Sequence, residues 1–427
     1  MSPIVAILFV ILALTSIPLA IASGIASGIT LEFFGDLPNS LLLLMQRMVY
    51  GVDSYALLAV PLFIFCGKLM NTGGITDRIF DFGQALVGRI PGGLAHANVV
   101  ASMIFAGMSG ASIADAAGLG QIEIKAMTDK GYKRDFSVAI TAASATIGPI
   151  IPPSISMIIF AAIAEESIGR LFLGGIIPGV LMGLFLMVEI YFMAIRRGYP
   201  IDQKTNLSVI WQTSKKAFLP SLTPIIIIGG IAGGIFTVTE AAAVATLYAY
   251  ILGAFLYKRL KLKELPVLLL DTMKTTAVMM FILSTVAGIS WILVTENIAD
   301  YVAEFIFSLT KNPLLILLMI NMFLFMFACV LEAIPIMVLT IPIFFPLIKM
   351  AGIDPVHFGV VMVLNLSIGL ITPPIGMILF VITDISELPI EKLIKAIIPF
   401  ILPLALVLIS IMFFPSLVLT IPNWLMP

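Results

Sequence analysis

Two proline pairs inside apolar segments have the clearest potential for chemistry in this sequence. Pro152-Pro153 and Pro373-Pro374 each begin four residues after a glycine, Gly148 or Gly369. Proline has no N–H and its ring clashes with the preceding turn, so each pair is expected to break a helix and free carbonyl oxygens. Carbonyl oxygens suit a small hard cation such as Na⁺, and the following helix N-terminus offers N–H groups to an anion. One pair alone indicates a structural kink, whereas two copies favour a ligand site.

The tetrapeptide Ser109-Gly110-Ala111-Ser112 interrupts the apolar run 92–127 near its middle. Its small residues allow close backbone approach, and its two hydroxyls are available to a ligand or ion. Ser112 to Asp115 also fits a capping box, in which Ser112 caps a helix and Asp115 lies in the first turn. Capping is favoured over direct ligation for Asp115, and likewise for Glu332, which interrupts the run 313–350. An acid at mid-membrane costs about 2.5–3.5 kcal/mol, so each needs a protein partner.

The sequence leaves two other functional classes open besides a ligand-binding membrane protein. Gly107-Met108-Ser109-Gly110 matches the Gly-x-Ser-Gly pattern of intramembrane serine proteases, with His96 and His357 as candidate bases. This interpretation is weaker, because His96 lies 13 residues upstream in the same arm and His357 lies at a predicted outer boundary. A non-catalytic membrane assembly protein is the third class. The chain has no Gly-x4-Gly-Lys-Ser/Thr loop for ATP, which leaves an ion gradient as the obvious energy source.

The composition places these motifs in a membrane. Of the 427 residues, 60% are hydrophobic and 11% charged, against about 45–50% and 25% in soluble domains. The net charge of −1 provides no basic excess for nucleic acid, so nucleic-acid binding is excluded. Cys66 and Cys329 lie inside apolar runs without metal-ligand spacing, which supports neither a disulfide framework nor a zinc site.

The two long runs predict re-entrant hairpins. Each half of 92–127 and 313–350 is too short for the ~20 residues of a full span, so both runs are expected to dip into the bilayer and return. Other spans are expected near 4–28 and 396–421. If Lys and Arg concentrate inside, the first hairpin enters from the cytoplasm and the second from outside. Only four of the 23 Lys and Arg residues then remain outside: Arg47, Arg170, Lys311 and Lys349.

The segments that follow the two hairpins are related in sequence. Residues 148–160 align with 369–380 apart from one inserted residue, at an offset of 369 − 148 = 221. Two broken helices are therefore expected at 137–164 and 357–383. An inverted repeat with interrupted helices at matching places is the best pointer from sequence to a secondary transporter. The predicted fold is an all-α polytopic membrane protein with an inverted repeat, two re-entrant helical hairpins and two broken helices.

Several segments resemble a known family. The runs 70–79, 109–120 and 122–127, with both Pro-Pro motifs, are similar to the large membrane subunit, of DctM type, of tripartite ATP-independent periplasmic (TRAP) transporters. The similarity covers essentially the whole chain. It implies an elevator-type fold similar to the ion transporter superfamily, in which a transport domain slides against a scaffold. It also implies Na⁺-driven uptake of an organic acid, with no enzymatic activity.

The resemblance also implies site residues, with two or more Na⁺ ions and no other metal. The first Na⁺ site, between the first tip and first broken helix, is assigned to Ser109, Gly110, Ser112, Gly148, Ile151 and Pro153. The second, between the second tip and second broken helix, is assigned to Val330, Glu332, Gly369, Thr372 and Met377. The substrate is expected between the tips, near Ser109, Ser112, Asp115, Pro152, Ser154, Pro373 and Pro374.

The expected division into domains follows the hairpins. Residues 1–70, 169–295 and 387–427 form the scaffold and connecting helices, whereas 71–168 and 296–386 form the two halves of the transport domain. The chain is expected in a bacterial inner membrane, among its lipids, with a cytoplasmic N-terminus and a periplasmic C-terminus.

Partners and substrate follow from the same resemblance. Family members work with a four-helix membrane subunit and a periplasmic binding protein. Because the sequence starts directly at the large subunit, the small one is expected as a separate chain. The segment 118–125 resembles the sialic-acid (N-acetylneuraminate) transporting members most. Asp384 is an acid where that subgroup has a basic residue, so dicarboxylates and sugar acids such as diketogulonate stay open.

Overall fold

The computed structural model describes residues 2–15, 17–34, 40–201 and 207–426. Met1, the N-terminus for which a cytoplasmic position is predicted, lies outside these residues. Throughout the described part the regular structure is helical, with no β-strand. Seven helical segments of this part are long and apolar enough to cross a bilayer. The first helices are α1 (Ser2–Leu14), α2 (Leu19–Phe34), α3 (Ser40–Tyr50), α4 (Ala59–Thr72) and α5 (Ile75–Val87).

The first predicted hairpin and broken helix are both interrupted where the sequence indicates. The hairpin breaks between Ser109 and Ser112, and a further bend at Leu119 divides its return arm. The following helix breaks across residues 146–154, which include the first proline pair. The elements are α6 (Gly93–Ser109), α7 (Ser112–Gly118), α8 (Gly120–Asp129), α9 (Arg134–Ala145) and α10 (Ile155–Ala164).

Longer helices join the two halves. The longest, α14, has 31 residues and so a length of about 46 Å, which exceeds the ~30 Å hydrocarbon core. It packs against α2, α3 and α4. The connecting elements are α11 (Ile168–Arg197), α12 (Leu207–Ala232), α13 (Val238–Ile251), α14 (Leu265–Thr295) and α15 (Ile298–Leu309). Thr237 begins α13 with a capping box completed by Glu240, as its sequence indicates.

The second half repeats the pattern of the first. Its hairpin breaks between Ala328 and Ala333, and its broken helix between Gly369 and Met377. Asp354 starts the broken helix by accepting hydrogen bonds from the N–H groups of Val356 and His357. The elements are α16 (Pro313–Ala328), α17 (Ala333–Met350), α18 (Pro355–Gly369), α19 (Met377–Ser386), α20 (Ile390–Phe413) and α21 (Ser416–Leu425).

Two segments that were expected to form one continuous span each consist of two helices. The run 4–28 is divided into α1 and α2, and the run 396–421 into α20 and α21. Prolines explain both divisions. Pro18 directly precedes α2 and Pro415 directly precedes α21, and proline disfavours a helical conformation of the residue before it. The short helices α3 and α15 have no counterpart among the sequence-based spans.

Buried amides join the hairpin arms to the broken helices in both halves. Asn98 of α6 donates to Thr141 Oγ1 and accepts from Ser144 Oγ of α9, each at 2.7 Å. Asn365 of α18 donates to the carbonyl and the Oδ1 of Asn321 in α16, also at 2.7 Å. Ser144 and Asn365 differ by 365 − 144 = 221 positions, the offset of the proline motifs. The internal repeat therefore extends to the polar contacts that assemble each half.

Asn365→Ala tests this contact. The substitution leaves the Asn321 side chain without its donor, so we expect the free energy of unfolding to fall by about 1–2 kcal/mol. Thermal unfolding of the detergent-purified protein measures the change. Ser367→Ala is the matched control, because that buried hydroxyl bonds only to Val363 O of its own helix at 2.7 Å. Equal shifts for the two variants would contradict a special role for the amide.

Candidate substrate and cation site

The first tip packs directly on the first broken helix. Gly110 adopts a left-handed conformation with φ of +65°, and its carbonyl accepts a hydrogen bond from Ile155 N–H at 3.2 Å. A Cβ atom on Gly110 would lie 2.5 Å from the carbonyl oxygen of Pro153. A Cβ on Gly148 would lie 3.2 Å from the amide nitrogen of Ser112. Four of the six residues predicted for the first cation site are therefore in close contact.

The second tip meets the second broken helix in the same way. Cys329 O accepts hydrogen bonds from Ile375 N–H at 3.2 Å and Gly376 N–H at 3.3 Å. A Cβ on Gly369 would lie 2.2 Å from the Cβ of Ala328. Ile155 and Gly376 differ by 376 − 155 = 221 positions, so the bond between tip and break recurs at the repeat offset. Side-chain identity gives little trace of a backbone contact, which is why Ala328, Cys329 and Gly376 were not predicted.

Several predicted side chains have other partners. Ser154 caps α10 by accepting from Met157 N–H at 3.1 Å, and it donates to Pro149 O. Thr372 Oγ1 donates to Ile368 O at 2.8 Å. Ile151 contacts the backbone of α11, where a Cβ on Gly179 would lie 2.3 Å from its Cγ1. These residues therefore have mainly backbone groups left for a ligand.

The remaining predicted positions differ in exposure. The side chain of Val330 is 42% exposed, and Met377 is the first residue of α19. Both proline pairs contain a cis peptide bond. Pro152 and Pro153 are buried, Pro373 is half-buried and Pro374 is exposed. The second break is thus more open than the first.

At the first tip the predicted cap at Ser112 is wrong, although Asp115 does lie in the first turn of α7 as predicted, and at the second tip the predicted capping role of Glu332 is only partly met. The N-cap of α7 is Ala111, in an extended conformation, with no side-chain hydrogen bond. The turn at Gly110 directs the chain so that Ser112 is already the first helical residue. Glu332 does occupy the N-cap of α17, but its side chain makes no capping bond. Asp115 and Glu332 therefore do not have the hydrogen bonds that capping requires.

The first tip carries polar atoms without partners. The hydroxyls of Ser109 and Ser112 and both carboxylate oxygens of Asp115 are buried without hydrogen-bond partners among the described residues. Glu123 on α8, which is not among the predicted site residues, is buried in the same way. Polar and apolar residues alternate around it in the sequence, so the sequence does not indicate that it is buried. Such orphaned oxygens are expected where a ligand completes the site.

A small hard cation fits the donors at the first tip. Among the residues described, no group of three or more His, Cys, Asp or Glu side chains is placed to hold a metal ion. The available donors are hydroxyl, carbonyl and carboxylate oxygens, the ligand type of hard cations. The unpartnered hydroxyls of Ser109 and Ser112, beside the carbonyl of Pro153, make Na⁺ chemically suitable there.

A cavity of about 640 Å³ connects the two tips. Ser109 of the first tip and Glu332 of the second both line it, together with residues of α4, α7, α10 and α14. Its volume falls in the range of about 300–1,000 Å³ that is typical of ligand pockets. Of the predicted substrate-binding residues, Ser109 lines this cavity, and Ser112, Asp115, Pro152, Ser154, Pro373 and Pro374 do not.

Charged side chains on the α4 and α14 walls were missed as site residues. Lys68, Asp271 and Lys274 line the cavity, with Asn71 and Thr275 beside them. The Lys68 ammonium lies 2.6 Å from Asp271 Oδ2 and donates to Thr275 Oγ1 at 3.3 Å. A lysine within an apolar span is unusual, and this was the available signal. In the sequence, Lys68 and Lys274 count among the basic residues predicted on the cytoplasmic side, and neither is among the predicted site residues.

A second cavity, of about 450 Å³, lies further along the same helices. Helix α14 lines the first cavity through Asp271 to Ile282 and the second through Leu283 to Ser290. Helix α10 contributes Ile155 to the first and residues 159–165 to the second. Both helices therefore line two cavities, at different positions along their lengths.

The protease arrangement is not formed. Ser109 and His96 lie at opposite ends of α6, about 20 Å apart at 1.5 Å per residue. The Nε2 atom of His357 lies 2.8 Å from Ile411 O. Neither histidine is placed to take a proton from Ser109, so the Gly-x-Ser-Gly pattern here is a backbone turn.

Interrupted helices paired across an internal repeat, with a cavity between their tips, define a membrane transporter. The fold agrees with solved transporters. The YdaH transporter of Alcanivorax borkumensis superimposes with a TM-score of 0.63 at 15% identity, over 96% of this chain and 98% of that one. The chain belongs to the DctM component family of tripartite ATP-independent periplasmic transporters, whose family model matches residues 5–417. It is therefore a multi-pass transporter permease and not an enzyme.

Curated relatives agree with this assignment. The sialic acid TRAP transporter large permease protein SiaM of Vibrio cholerae is 44% identical over 88% of each chain. The sialic acid permease protein SiaT of Haemophilus influenzae is also 44% identical, over 90% of this chain and 62% of that protein. The C4-dicarboxylate large permease protein DctM of Pseudomonas aeruginosa is 39% identical over 94% of each chain.

Gly110→Ala tests the contact between tip and break. The added methyl group would collide with Pro153 O, so we expect loss of transport and a lower unfolding temperature. Gly131→Ala is the matched control, because Gly131 has φ of +87° but nothing within 4 Å of its Cβ position. The two variants share the cost of a left-handed alanine, and only the first adds a collision. Equal transport by both would refute the required close approach.

Proposed function

We propose that this chain performs Na⁺-coupled secondary active uptake of an organic acid across the bacterial inner membrane. The observation that carries the proposal is a cavity that both tips line, with Lys68 and Lys274 among its other lining residues. Cationic side chains suit a carboxylate. The unpartnered hydroxyls of Ser109 and Ser112 suit the coupling ion.

The ion has a physical role in this scheme. An acid cannot enter hydrocarbon as a bare anion, and bound Na⁺ ions offset its charge while it crosses. Each net positive charge moved inward gains about 2.3 kcal/mol per 100 mV of membrane potential. Two or more Na⁺ ions per monoanion make uptake electrogenic. The carbonyls at the two breaks, with Ser109 and Ser112, supply oxygen donors for them.

Sialic acid is the proposed substrate. SiaM and SiaT, both named as sialic acid permeases, are 44% identical to this chain. The cavity offers Asn71 and Thr275 beside the lysines, and these groups suit a polyhydroxylated acid. C4-dicarboxylate, named for DctM, and 2,3-diketo-L-gulonate, named for YiaN of Escherichia coli, are the competing substrates.

Two partners complete the proposed transporter. A periplasmic binding protein delivers the acid, and a four-helix membrane subunit on a separate chain binds beside the scaffold. The family name, which describes a tripartite periplasmic system, supports this assembly. So does α12, the least buried of the seven apolar segments, which exposes Trp211, Phe218 and Ile225.

We propose an elevator mechanism, with residues 71–168 and 296–386, which contain α5–α10 and α15–α19, moving as the transport domain. The two cavities that α10 and α14 line at different positions along their lengths support it, since a sliding domain exposes its site first at one end and then at the other. Glycines allow close contact at the interface. A Cβ on Gly67 of α4 would lie 3.4 Å from Ser109 Cα, and one on Gly118 would lie 3.2 Å from Asn71 Nδ2.

Uptake into proteoliposomes tests the function. With the small subunit and the binding protein present, we expect labelled sialic acid to enter under an inward Na⁺ gradient. Ser109→Ala and Ser112→Ala should raise the Na⁺ concentration for half-maximal uptake, because each removes a hydroxyl oxygen from the tip. Ser367→Ala should not, because its hydroxyl bonds within its own helix.

Undiminished uptake in K⁺ buffer without Na⁺ would refute the coupling. If labelled acid stays outside under every condition while the subunits still associate, an assembly protein is the better description. If a dicarboxylate is taken up and sialic acid is not, the substrate is a dicarboxylate.

Disulfide cross-linking tests the sliding. Cysteines at Asn71 and Gly118, in a chain with Cys66 and Cys329 replaced, join α4 to the first hairpin. We expect oxidation to stop uptake and a reductant to restore it. Cysteines at Gly120 and Thr141 are the matched control within the moving domain, because a Cβ on Gly120 would lie 3.1 Å from Thr141 Cγ2. If cross-linked Asn71–Gly118 protein still transports, these surfaces do not separate.

A further inference from the structure

Lys68 and Asp271 form an ion pair inside the candidate substrate cavity. The Lys68 Nζ to Asp271 Oδ2 distance is 2.6 Å, and the two side chains are 23% and 62% exposed. Lys68 comes from α4 and Asp271 from α14, so the pair joins two walls of the cavity. An ion pair inside a binding cavity differs from one on the outer surface, because a charged ligand that enters the cavity can compete for one of its two partners.

The two partners do not depend on each other equally. Lys68 lies in the apolar segment Tyr55–Thr72 and is mostly covered, so its ammonium requires an anionic partner. Asp271 is mostly exposed, so water replaces its partner readily. The anion beside Lys68 is therefore exchangeable, whereas the ammonium always needs one.

The cavity also provides a place for the displaced carboxylate. Lys274 lies three positions after Asp271 on α14 and lines the same cavity. Residues at this spacing face each other along a helix. Asp271 can thus pair with Lys274 when another carboxylate occupies Lys68.

The formal charges of the cavity lining balance. Two basic residues, Lys68 and Lys274, and two acidic residues, Asp271 and Glu332, line it, so the lining has no formal excess of positive charge. Lys68 is also next to the first tip, because its neighbour Gly67 contacts Ser109. An acid held at that tip therefore competes with Asp271 for the charge of Lys68, whose ammonium already donates to Asp271 and Thr275.

We infer that Asp271 is an internal competitor for the carboxylate of the substrate. It holds Lys68 while the cavity is empty, moves toward Lys274 when the acid binds, and returns to promote release. Asp271 is a positioning residue that acts through Lys68. The inference rests on the proposed function, since it requires an anionic substrate.

Asp271→Asn tests the competition. The neutral amide no longer competes as an anion, so we expect the half-saturating substrate concentration to fall about two- to fivefold, the range set by an exposed ion pair. The maximal uptake rate should fall as well, because release slows. Asp271→Glu should keep both values of the parent protein. Asp300→Asn, on exposed α15 outside the cavity, should change neither.

The double variant separates competition from a general charge effect. Lys68→Gln should raise the half-saturating concentration, and Asp271→Asn should have no further effect on affinity in that background. An unchanged or raised half-saturating concentration in Asp271→Asn would overturn the inference, as would the same fall in both backgrounds. If the parent protein transports no organic acid, the proposed function fails instead, so the two failures are distinguishable.

Discussion

Backbone hydrogen bonding inside the bilayer is the constraint on which this structure depends. Hydrocarbon satisfies no free N–H or carbonyl group, so an interrupted helix persists at membrane depth only where protein or a ligand supplies the missing partners. Here each break receives them from a tip, through Ile155 N–H to Gly110 O and Gly376 N–H to Cys329 O. The glycines at 110, 148 and 369 are required because the backbones approach too closely for a side chain.

The same pairing creates the conditions for transport. The first tip, packed on the first break, leaves the hydroxyls of Ser109 and Ser112 unpartnered among the described residues, and such oxygens are expected where a ligand completes a site. The tips also bound the cavity that faces α4 and α14, where the charged residues of the walls lie. The proposed ion site and the proposed acid site are therefore neighbours, with Ser109 lining the same cavity as Lys68 and Lys274.

The sequence predicts the breaks well and the polar walls poorly. Proline pairs and small-residue tips have local causes, so the interruptions at 109–112, 146–154, 328–333 and 369–377 follow from residue type. The cap at Ser112 failed because the left-handed turn at Gly110 shifts the helix start, which a four-residue pattern does not contain. Lys68, Asp271 and Lys274 meet only through tertiary packing of α4 on α14. Their separation in sequence concealed them, as it concealed the contact between the Cys329 carbonyl, which accepts, and the Gly376 N–H, which donates.

A cryo-electron microscopy comparison of the purified transporter in Na⁺ and in choline buffer tests the central claim most directly. The account predicts density between the first tip and first break in Na⁺, in contact with the Ser109 and Ser112 hydroxyls, and its loss in choline with loosening of the tip. Identical maps in the two buffers, with the tip and break packed against each other and no added density, would contradict it.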